Sequence, residues 1–303
     1  MPKDRANETR DGGAYLLGGQ RVTAPTVAYG LYVVATPIGN LRDITIRALE
    51  TLAAVDVILC EDTRTSGKLL DHYGIRTQRN PFHEHNERDR IGAVLEILAG
   101  DGTVALISDA GTPLISDPGF PLVRAASEAG HPVYAVPGAS ALLAALAVAG
   151  LPTDAFGFVG FLPPKAEARV NALARLAERR DTLVFYESPR RLVETLRAMV
   201  GEFGGDRQMM VALELTKRFE RKYRGTARSM LGAFEEFEDI KGEAVIVVGG
   251  APERVVDEAR WRAALVAALE GQPLRVAVDE ITTAFGLKRK DVYDAALALK
   301  AQE

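Results

Sequence analysis

The chain has 303 residues, of which 47% are hydrophobic and 26% charged, and its formal net charge is −4. This composition excludes an intrinsically disordered chain, and the single cysteine excludes a disulfide scaffold or a cysteine-rich zinc module. The slightly acidic charge disfavours a general nucleic-acid binder, which is usually strongly basic. A nucleic acid would have to be held by a local basic patch or be presented by an already folded particle. The longest apolar run, 141–151, is about half a bilayer span, so we expect no membrane-spanning helix. The lone cysteine and the lack of a signal-like apolar segment predict a cytoplasmic protein.

The first half of the chain shows a mobile tail followed by an α/β pattern. Residues 1–30 are rich in charge and glycine and lack apolar periodicity, which predicts a mobile N-terminal tail. Short apolar runs then alternate with helix-like segments and predict buried strands at 31–35, 55–60, 104–107 and 133–136. Strands of this kind, separated by helices, indicate a parallel sheet, so 31–150 is predicted to be an α/β domain.

The second half restarts this alternation after a linker-like segment at 151–153. We predict strands at 156–161, 182–186, 209–215 and 244–248, and helices at 166–179 and 190–200. These elements define a second α/β domain at 151–250. The remainder, 251–303, needs only helices and is predicted to be a small helix-turn-helix-like segment. Its expected apolar core is Leu274, Val276, Val278, Ile281, Leu287, Val292, Tyr293 and Leu297.

Three loops that follow predicted strands carry unusual chemistry. The loops 36–40, 108–119 and 137–140 each combine glycine and proline with a hydroxyl or carboxylate group. Open α/β sheets bind ligands beyond the carboxyl ends of their strands, and glycine lets the backbone approach a ligand closely. Three such loops on one edge therefore predict a ligand site, although each alone is also what a tight strand-to-helix turn requires.

The known nucleotide motifs are missing. Neither G-x-G-x-x-G nor G-x-x-x-x-G-K-[ST] occurs in the expected context, which disfavours a pyrophosphate-binding site. The pattern favours a nucleoside-like ligand held by backbone groups and one carboxylate, for which Asp109 is the best candidate; its alternative role is to cap the next turn. His83 and His85 resemble a pair of metal ligands, but no third histidine is near, so no metal is expected.

Several basic residues follow the strands at the same predicted edge. Arg64 and Lys68 lie one helical turn apart, and Arg190 and Arg191 follow a strand of the second domain. Together with Lys165 they could line a cleft with basic groups suited to phosphates. The alternative is that they are solvated surface charges and helix-end pairs.

Six motifs together carry a family resemblance. They are LYVVATPIGNLRDITIR at 31–47, EDTR at 61–64, SDAGTPLISDPG at 108–119, VPGAS at 136–140, FYESPRR at 185–191 and LTKRFE at 215–220. In these motifs the chain resembles the ribosomal RNA small subunit methyltransferase I family of the tetrapyrrole (corrin/porphyrin) methylase superfamily. The resemblance covers about residues 31–250 and extends to the C-terminal helices. The sequences of the first two loops favour the RNA branch over the tetrapyrrole branch.

The resemblance implies a two-domain tetrapyrrole-methylase-like α/β fold (class III methyltransferase) with a C-terminal helical appendage. It further implies a homodimer that transfers a methyl group from S-adenosyl-L-methionine to the ribose 2′-oxygen of a cytidine in 16S rRNA of the small ribosomal subunit. The cofactor contacts that it implies are Pro37, Asp109, Thr112, Ser140, Ala141, Glu187 and Leu215.

Transfer to a hydroxyl needs an in-line approach and a group that removes the proton. Glu61, Asp62 and His83 are the candidates for that group, and the sequence does not choose among them. Two other functions stay open at this point. One is a methylase of tetrapyrroles or another small molecule, and the other is a non-catalytic RNA-binding factor that retains the cofactor fold.

Overall fold

The computed structural model describes residues 13–253 and 258–300. The described residues up to Ala251 form one compact unit, and those from Pro252 onward form a second, smaller one. The larger unit consists of two α/β halves. Within the described ranges, no helix is both long enough and apolar enough to cross a bilayer.

An N-terminal hairpin packs on the first half. Its strands are β1 (Ala14–Leu17) and β2 (Gln20–Thr23), which pair antiparallel around Gly18 and Gly19. Both glycines have positive φ, as the tightest hairpin turn requires. Tyr15 is only 2% exposed, because it packs into the core of the first half. The expectation of a mobile tail is therefore wrong from residue 13 onward, and residues 1–12 lie outside the described residues.

The first half alternates strands and helices as its sequence predicts. In chain order they are β3 (Gly30–Val34), α1 (Ile46–Ala54), β4 (Val57–Cys60), α2 (Thr63–His72), β5 (Gln78–Pro81), α3 (Glu87–Ala99), β6 (Thr103–Ile107), α4 (Phe120–Glu128), β7 (Val133–Val136) and α5 (Ala141–Ala149). The five strands form one parallel sheet in the order β5-β4-β6-β3-β7. One face packs on α1, α2 and the hairpin, the other on α3 and α4.

The second half is less regular than its alternating sequence suggests. Its elements are β8 (Phe156–Phe161), α6 (Ala166–Ala174), β9 (Thr182–Glu187), α7 (Leu192–Phe203), β10 (Gln208–Leu213), β11 (Arg221–Thr226), α8 (Ala227–Glu235) and β12 (Ala244–Val248). The sheet order is β11-β10-β12-β9-β8. Only β8 and β9 run parallel, and the other pairs are antiparallel.

Helix α5 joins the two halves. It is apolar almost throughout, and a helix of that composition is stable only when it is largely buried. Its residues Ala145 and Ala149 pack with Val184, Met210 and other side chains from one face of the second sheet, while α6, α7 and α8 cover the opposite face. A boundary at residue 150 therefore cuts through a shared core, and the halves meet at the edge where the three unusual loops lie.

The smaller unit contains three helices among its described residues. They are α9 (Glu258–Gly271), α10 (Leu274–Phe285) and α11 (Arg289–Lys300). Its core includes Val278, Ile281 and Val292, as predicted. Three other residues expected in this core are exposed to solvent instead. Val276, Tyr293 and Leu297 are 52%, 39% and 46% exposed. The buried stripe runs instead through alanines, Ala277 on α10 and Ala295 and Ala296 on α11, where the helices approach closely.

Candidate active site

The three unusual loops meet at one edge of the first sheet. Thr36 and Gly111 exchange backbone hydrogen bonds of 2.8 and 3.0 Å, which tie the loop after β3 to the loop after β6. The Thr112 hydroxyl donates to the carbonyl of Ala139 at 3.2 Å, which ties in the loop after β7. The prediction that these loops share one edge is confirmed.

A cavity of about 410 Å³ lies where these loops face the second sheet. Six of the seven residues predicted to contact a cofactor line it: Asp109, Thr112, Ser140, Ala141, Glu187 and Leu215. Pro37 does not. It is buried beneath the loop, and its neighbour Ile38 reaches the cavity instead. Lining residues that the sequence patterns do not single out include Ser116, Asp117, Phe161, Tyr186 and Glu243.

The backbone around the cavity is strained. Leu114 and Ser116 have φ of 71° and 67°, and Glu214 and Thr216, on either side of Leu215, have φ of 54° and 65°. Side-chain-bearing residues rarely adopt this region, and such strain persists only where surrounding contacts hold it. Four of the five such non-glycine residues in the described chain flank the cavity, which marks these loops as a site whose shape is held by the rest of the fold.

The first loop and the second half come into close contact at Gly39 and Lys217. The Lys217 ammonium contacts Glu214 at 2.8 Å and Glu243 at 3.2 Å. Its aliphatic stem lies so close to Gly39 of the first loop that a Cβ there would be 2.3 Å from Lys217 Cγ. Gly39 also has a φ of 148°, so a side chain at this position would break the contact between the first loop and the second half.

The cavity lining is acidic. The charged residues whose side chains line it are Asp109, Asp117 and Glu243, and no Lys, Arg or His is among its described lining residues. Burial, together with the charges of Glu61 and Asp109, raises the pKa of Asp117 to about 7. Burial also raises the pKa of Asp109, although the backbone N–H of Asp62 donates to its carboxylate at 3.1 Å and opposes the shift. Asp109 thus holds the start of α2, rather than capping its own loop.

The three predicted catalytic residues lie beside the cavity and do not line it. The Asp62 carboxylate caps α2, because it accepts a 2.7 Å hydrogen bond from the backbone N–H of Arg64. The His83 ring faces the Asn86 amide at 3.1 Å. Glu61 has a raised pKa because of burial and the neighbouring charges of Asp109 and Glu84. Asp117, the second aspartate of SDAGTPLISDPG, is absent from the predicted set. The strained loop around it is visible only in the structure.

His83 and His85, where the sequence leads us to expect no metal, lie side by side in the structure. The rings of His83 and His85 lie 5.9 Å apart and edge to face. Across the residues that the structure describes, no group of three or more His, Cys, Asp or Glu side chains is placed to hold a metal ion.

The predicted phosphate-binding residues divide into two kinds. Arg64, Lys68, Lys165 and Arg190 are exposed. Arg191 instead bonds to the carbonyl of Leu162 at 2.7 Å and pairs with Glu187 at 3.3 Å. These contacts give Arg191 an internal role, and its RNA contact stays a prediction. Arg191 lies at the start of a helix, where the helix dipole is unfavourable for a cation. Its ion pair with Glu187 explains this position.

Glu187 is the partner that fixes Arg191. Its side chain is 0% exposed, so its backbone is what the cavity meets. The carboxylate accepts hydrogen bonds from the Thr195 hydroxyl at 2.7 Å and from the backbone N–H of Ser188 at 2.8 Å. These donors satisfy the buried carboxylate oxygens, and together they hold the end of β9 in place.

We expect Arg191→Ala to destabilise the protein by about 3 kcal/mol, because it leaves the buried Glu187 carboxylate without its counter-charge. Arg190→Ala is the matched control and should change the free energy of unfolding by less than about 0.5 kcal/mol, since Arg190 is exposed. Urea unfolding measures both. If Arg191→Ala were as stable as the control, the predicted internal role of this ion pair would be contradicted.

Comparisons with known proteins place this site in a family. Residues 30–231 match the family of Tetrapyrrole (Corrin/Porphyrin) Methylases, and residues 255–300 match the RsmI C-terminal HTH domain. A protein of Mesorhizobium japonicum named ribosomal RNA small subunit methyltransferase I is 45% identical, over 94% of this chain and 97% of its own length. The protein of the same name from Haemophilus influenzae is also 45% identical, over 88% of this chain and 96% of its own.

The chain belongs to the ribosomal RNA small subunit methyltransferase I family. Solved structures agree with the fold of that family. The methyltransferase CobJ has a TM-score of 0.57 at 21% identity, covering 74% of this chain and 95% of its own. Uroporphyrin-III-C-methyltransferase from Thermus thermophilus has a TM-score of 0.53 at 21% identity, covering 73% and 94%. The predicted tetrapyrrole-methylase-like α/β fold with C-terminal helices is confirmed. Within this ribosomal RNA small subunit methyltransferase I fold, the cavity between the loops and the second sheet is the candidate active site.

Proposed function

We propose that this chain is an S-adenosyl-L-methionine-dependent enzyme that methylates the ribose 2′-oxygen of a cytidine in 16S rRNA. The observation that carries the proposal is the acidic cavity, built from six of the seven residues that the family resemblance assigns to the cofactor. The relatives support it through their names and through their similarity over nearly their whole length.

The cavity residues fit S-adenosyl-L-methionine chemically. Carboxylates at Asp109 and Asp117 and the absence of basic side chains from the described lining suit a ligand that carries positive charge. Apolar side chains at Ile38 and Leu215 suit an adenine ring, and Ser140 and Ala141 lie where α5 begins, a position that favours an anionic group. When bound, S-adenosyl-L-methionine supplies a methyl group on a positively charged sulfur. A hydroxyl oxygen can attack that methyl carbon without a metal.

The reaction requires that the ribose hydroxyl lose its proton as its oxygen gains the methyl group. Asp117 is the residue that we assign to accept the proton, because it lines the cavity and its pKa of about 7 matches neutral pH. Glu61 and Asp109 act on this step through their charges, which hold the pKa of Asp117 up. The strained residues Leu114 and Ser116 lie in the same loop as Asp109 and Asp117.

The same lining disfavours the tetrapyrrole alternative. Tetrapyrrole substrates such as uroporphyrin carry several carboxylates, which an acidic cavity would repel. An RNA substrate avoids this conflict, because one splayed nucleoside can enter while its phosphates stay at the rim. We propose that the exposed residues Arg64, Lys68, Lys165 and Arg190 meet those phosphates. We also propose that the protein acts in the cytoplasm, on the small ribosomal subunit, as a homodimer, and that its role is in rRNA processing.

We propose that the C-terminal unit assists RNA docking. A chain ending at Ala251 should keep its affinity for S-adenosyl-L-methionine, because the cavity residues lie within the larger unit. Its methylation of small subunits should fall. The slope of log binding constant against log salt concentration should become shallower by about 0.7 to 0.9 for each phosphate that the protein no longer neutralises. Calorimetry and a salt series measure these two effects. Loss of dimerisation alone, seen by ultracentrifugation, would instead assign the unit to the dimer contact.

Mass spectrometry of 16S rRNA from a strain that lacks the gene tests the proposed function in the cell. We expect one 2′-O-methylcytidine to disappear, and to return when the wild-type gene is restored. Unchanged rRNA in the deletion strain would contradict the proposal.

A further inference from the structure

Phe161 is an exposed aromatic residue at the mouth of the cavity. It is the last residue of β8, it lines the cavity, and 57% of it is exposed. An aromatic side chain of this size usually contributes most when buried. The established features of the fold give no reason for leaving this ring in solvent.

A β-bulge places Phe161 on the cavity side of the sheet. Phe158 pairs with Val184, but the next pairs are Gly160 with Phe185 and Phe161 with Tyr186, so one residue is inserted. Gly160 has a φ of 73°, which glycine tolerates without strain. Without the bulge, alternation would turn Phe161 to the opposite face. Bulges of this kind re-aim a side chain next to an active site.

The bulge aligns three aromatic rings that lead into the cavity. Tyr186 contacts Phe158 at a centroid distance of 4.9 Å and Phe161 at 5.8 Å. The charge of Asp117 acts on the Tyr186 hydroxyl, so the candidate base lies near this row. Ser116, the neighbour of Asp117 in sequence, lies against Gly160, where an added Cβ would be 3.3 Å from its hydroxyl oxygen. Phe161 therefore stands beside the loop that carries Asp117.

One exposed cation follows Phe161 in the chain, and another lies on the neighbouring segment. Strands β8 and β9 are parallel neighbours, so Lys165, four residues past Phe161, and Arg190, four past Tyr186, leave the sheet at the same edge. Both cations are exposed. Arg191 holds the segment between Phe161 and Lys165 by donating to the carbonyl of Leu162.

We propose that Phe161 is the platform on which the base of the acceptor nucleotide stacks once it has left its RNA stack. Proteins that read single-stranded RNA hold splayed bases on aromatic side chains and leave the phosphates to nearby cations. Phe161 supplies the ring, while Lys165 and Arg190 supply the charge. This inference rests on the proposed function, and it adds to it the surface that holds the acceptor base next to Asp117.

The test compares Phe161→Ala with Phe156→Ala in the full-length protein. Phe156 lies on the same strand and is 44% exposed, but it does not line the cavity. Methyl transfer to small subunits from the deletion strain gives kcat and KM, and calorimetry gives the Kd for S-adenosyl-L-methionine. We expect Phe161→Ala to lower kcat/KM for subunits roughly tenfold to a hundredfold, with cofactor Kd within about twofold of the wild-type value. Phe161→Trp should restore the rate, and Phe156→Ala should leave it unchanged.

Three results would overturn the platform. Equal rates for Phe161→Ala and Phe156→Ala would show that the exposed ring holds no base. A weakened cofactor Kd with an unchanged rate at saturating cofactor would show that the ring holds the adenine of the cofactor instead. A wild-type protein that leaves subunits unmethylated refutes the proposed function and the platform with it, whereas the first two results refute the platform alone.

Discussion

Replacing Asp117 by asparagine is expected to lower kcat for subunit methylation roughly a hundredfold to ten-thousandfold, the contribution of a positioned general base. Asparagine keeps the shape of the side chain but cannot accept the proton. Because the change is local, the Kd for S-adenosyl-L-methionine should change far less than kcat. Single-turnover methylation with saturating cofactor and subunits measures the chemical step directly.

Asp62→Asn is the matched control for this substitution. Asp62 is a neighbouring carboxylate that caps α2 and does not line the cavity, and asparagine caps helices as well as aspartate does. We expect the control to keep its rate within about threefold, since exposed substitutions of this kind change little. A normal rate for Asp117→Asn with a large loss for Asp62→Asn would reverse the assignment.

The titration of Asp117 also predicts two pH dependences. A base with a pKa of about 7 is protonated in acid, so the wild-type rate should fall as the pH drops through about 7. The folded state binds the proton of Asp117 more tightly than the unfolded chain does. The free energy of unfolding should therefore decrease as the pH rises from about 4 to 7. Asp117→Asn should therefore be at least as stable as the wild type at pH 8, as urea unfolding would show. A lower stability at pH 8 would argue against the raised pKa.

Replacing Asp109 by alanine is expected to raise the Kd for S-adenosyl-L-methionine roughly tenfold to a hundredfold, the usual range when a charged hydrogen-bonding partner is removed. The carboxylate lines the cavity and also accepts the backbone N–H of Asp62. Asp109→Asn separates the two roles, because it keeps an acceptor for Asp62 and removes only the charge. Calorimetry on folded protein measures both variants.

An unchanged Kd for Asp109→Ala would contradict the cofactor assignment. A weakened Kd for alanine with a wild-type Kd for asparagine would show that Asp109 acts by holding the start of α2 and not through its charge. Asn80→Ala gives a further control, because it lies at the same sheet edge, in β5, outside the cavity lining.

The sequence predicts the parts of the fold whose chemistry is local. Buried strands such as β6 are continuous apolar runs, and the loops after them carry glycine and proline where the backbone must turn sharply. The edge strands β5 and β11 are not predicted, because QRNP and RKYRGT show no apolar alternation. Charged and proline-containing edges are how sheets avoid pairing with other chains, so their polarity is itself expected.

The N-terminal hairpin is predictable in principle. Two glycines between AYLL and QRVT are the signal for a two-residue turn. The glycine-rich composition of the first 30 residues favours a mobile tail only if the segment is judged by its overall composition and the Gly18-Gly19 turn is overlooked. Packing of Tyr15 against α1 is a tertiary effect that composition does not contain.

The candidate site is predictable in outline but not in its chemistry. Strand ends and motifs bring Asp109 and Leu215 to the lining of one cavity. The roles of Asp117 and Arg191 depend on burial and on partners distant in sequence, Glu61 for the first and Leu162 for the second. A pattern of residue types along the chain does not show which residues are buried or which distant residues come into contact.

Transfer of a labelled methyl group to isolated small subunits tests the central claim most directly. Purified protein, labelled S-adenosyl-L-methionine and subunits from the deletion strain are combined, and the 16S rRNA is digested to nucleosides. We predict that the label appears as 2′-O-methylcytidine from a single position, and that Asp117→Asn transfers almost none of it. Label in a base-methylated nucleoside, or no label in RNA from a protein that binds the cofactor, would contradict the account.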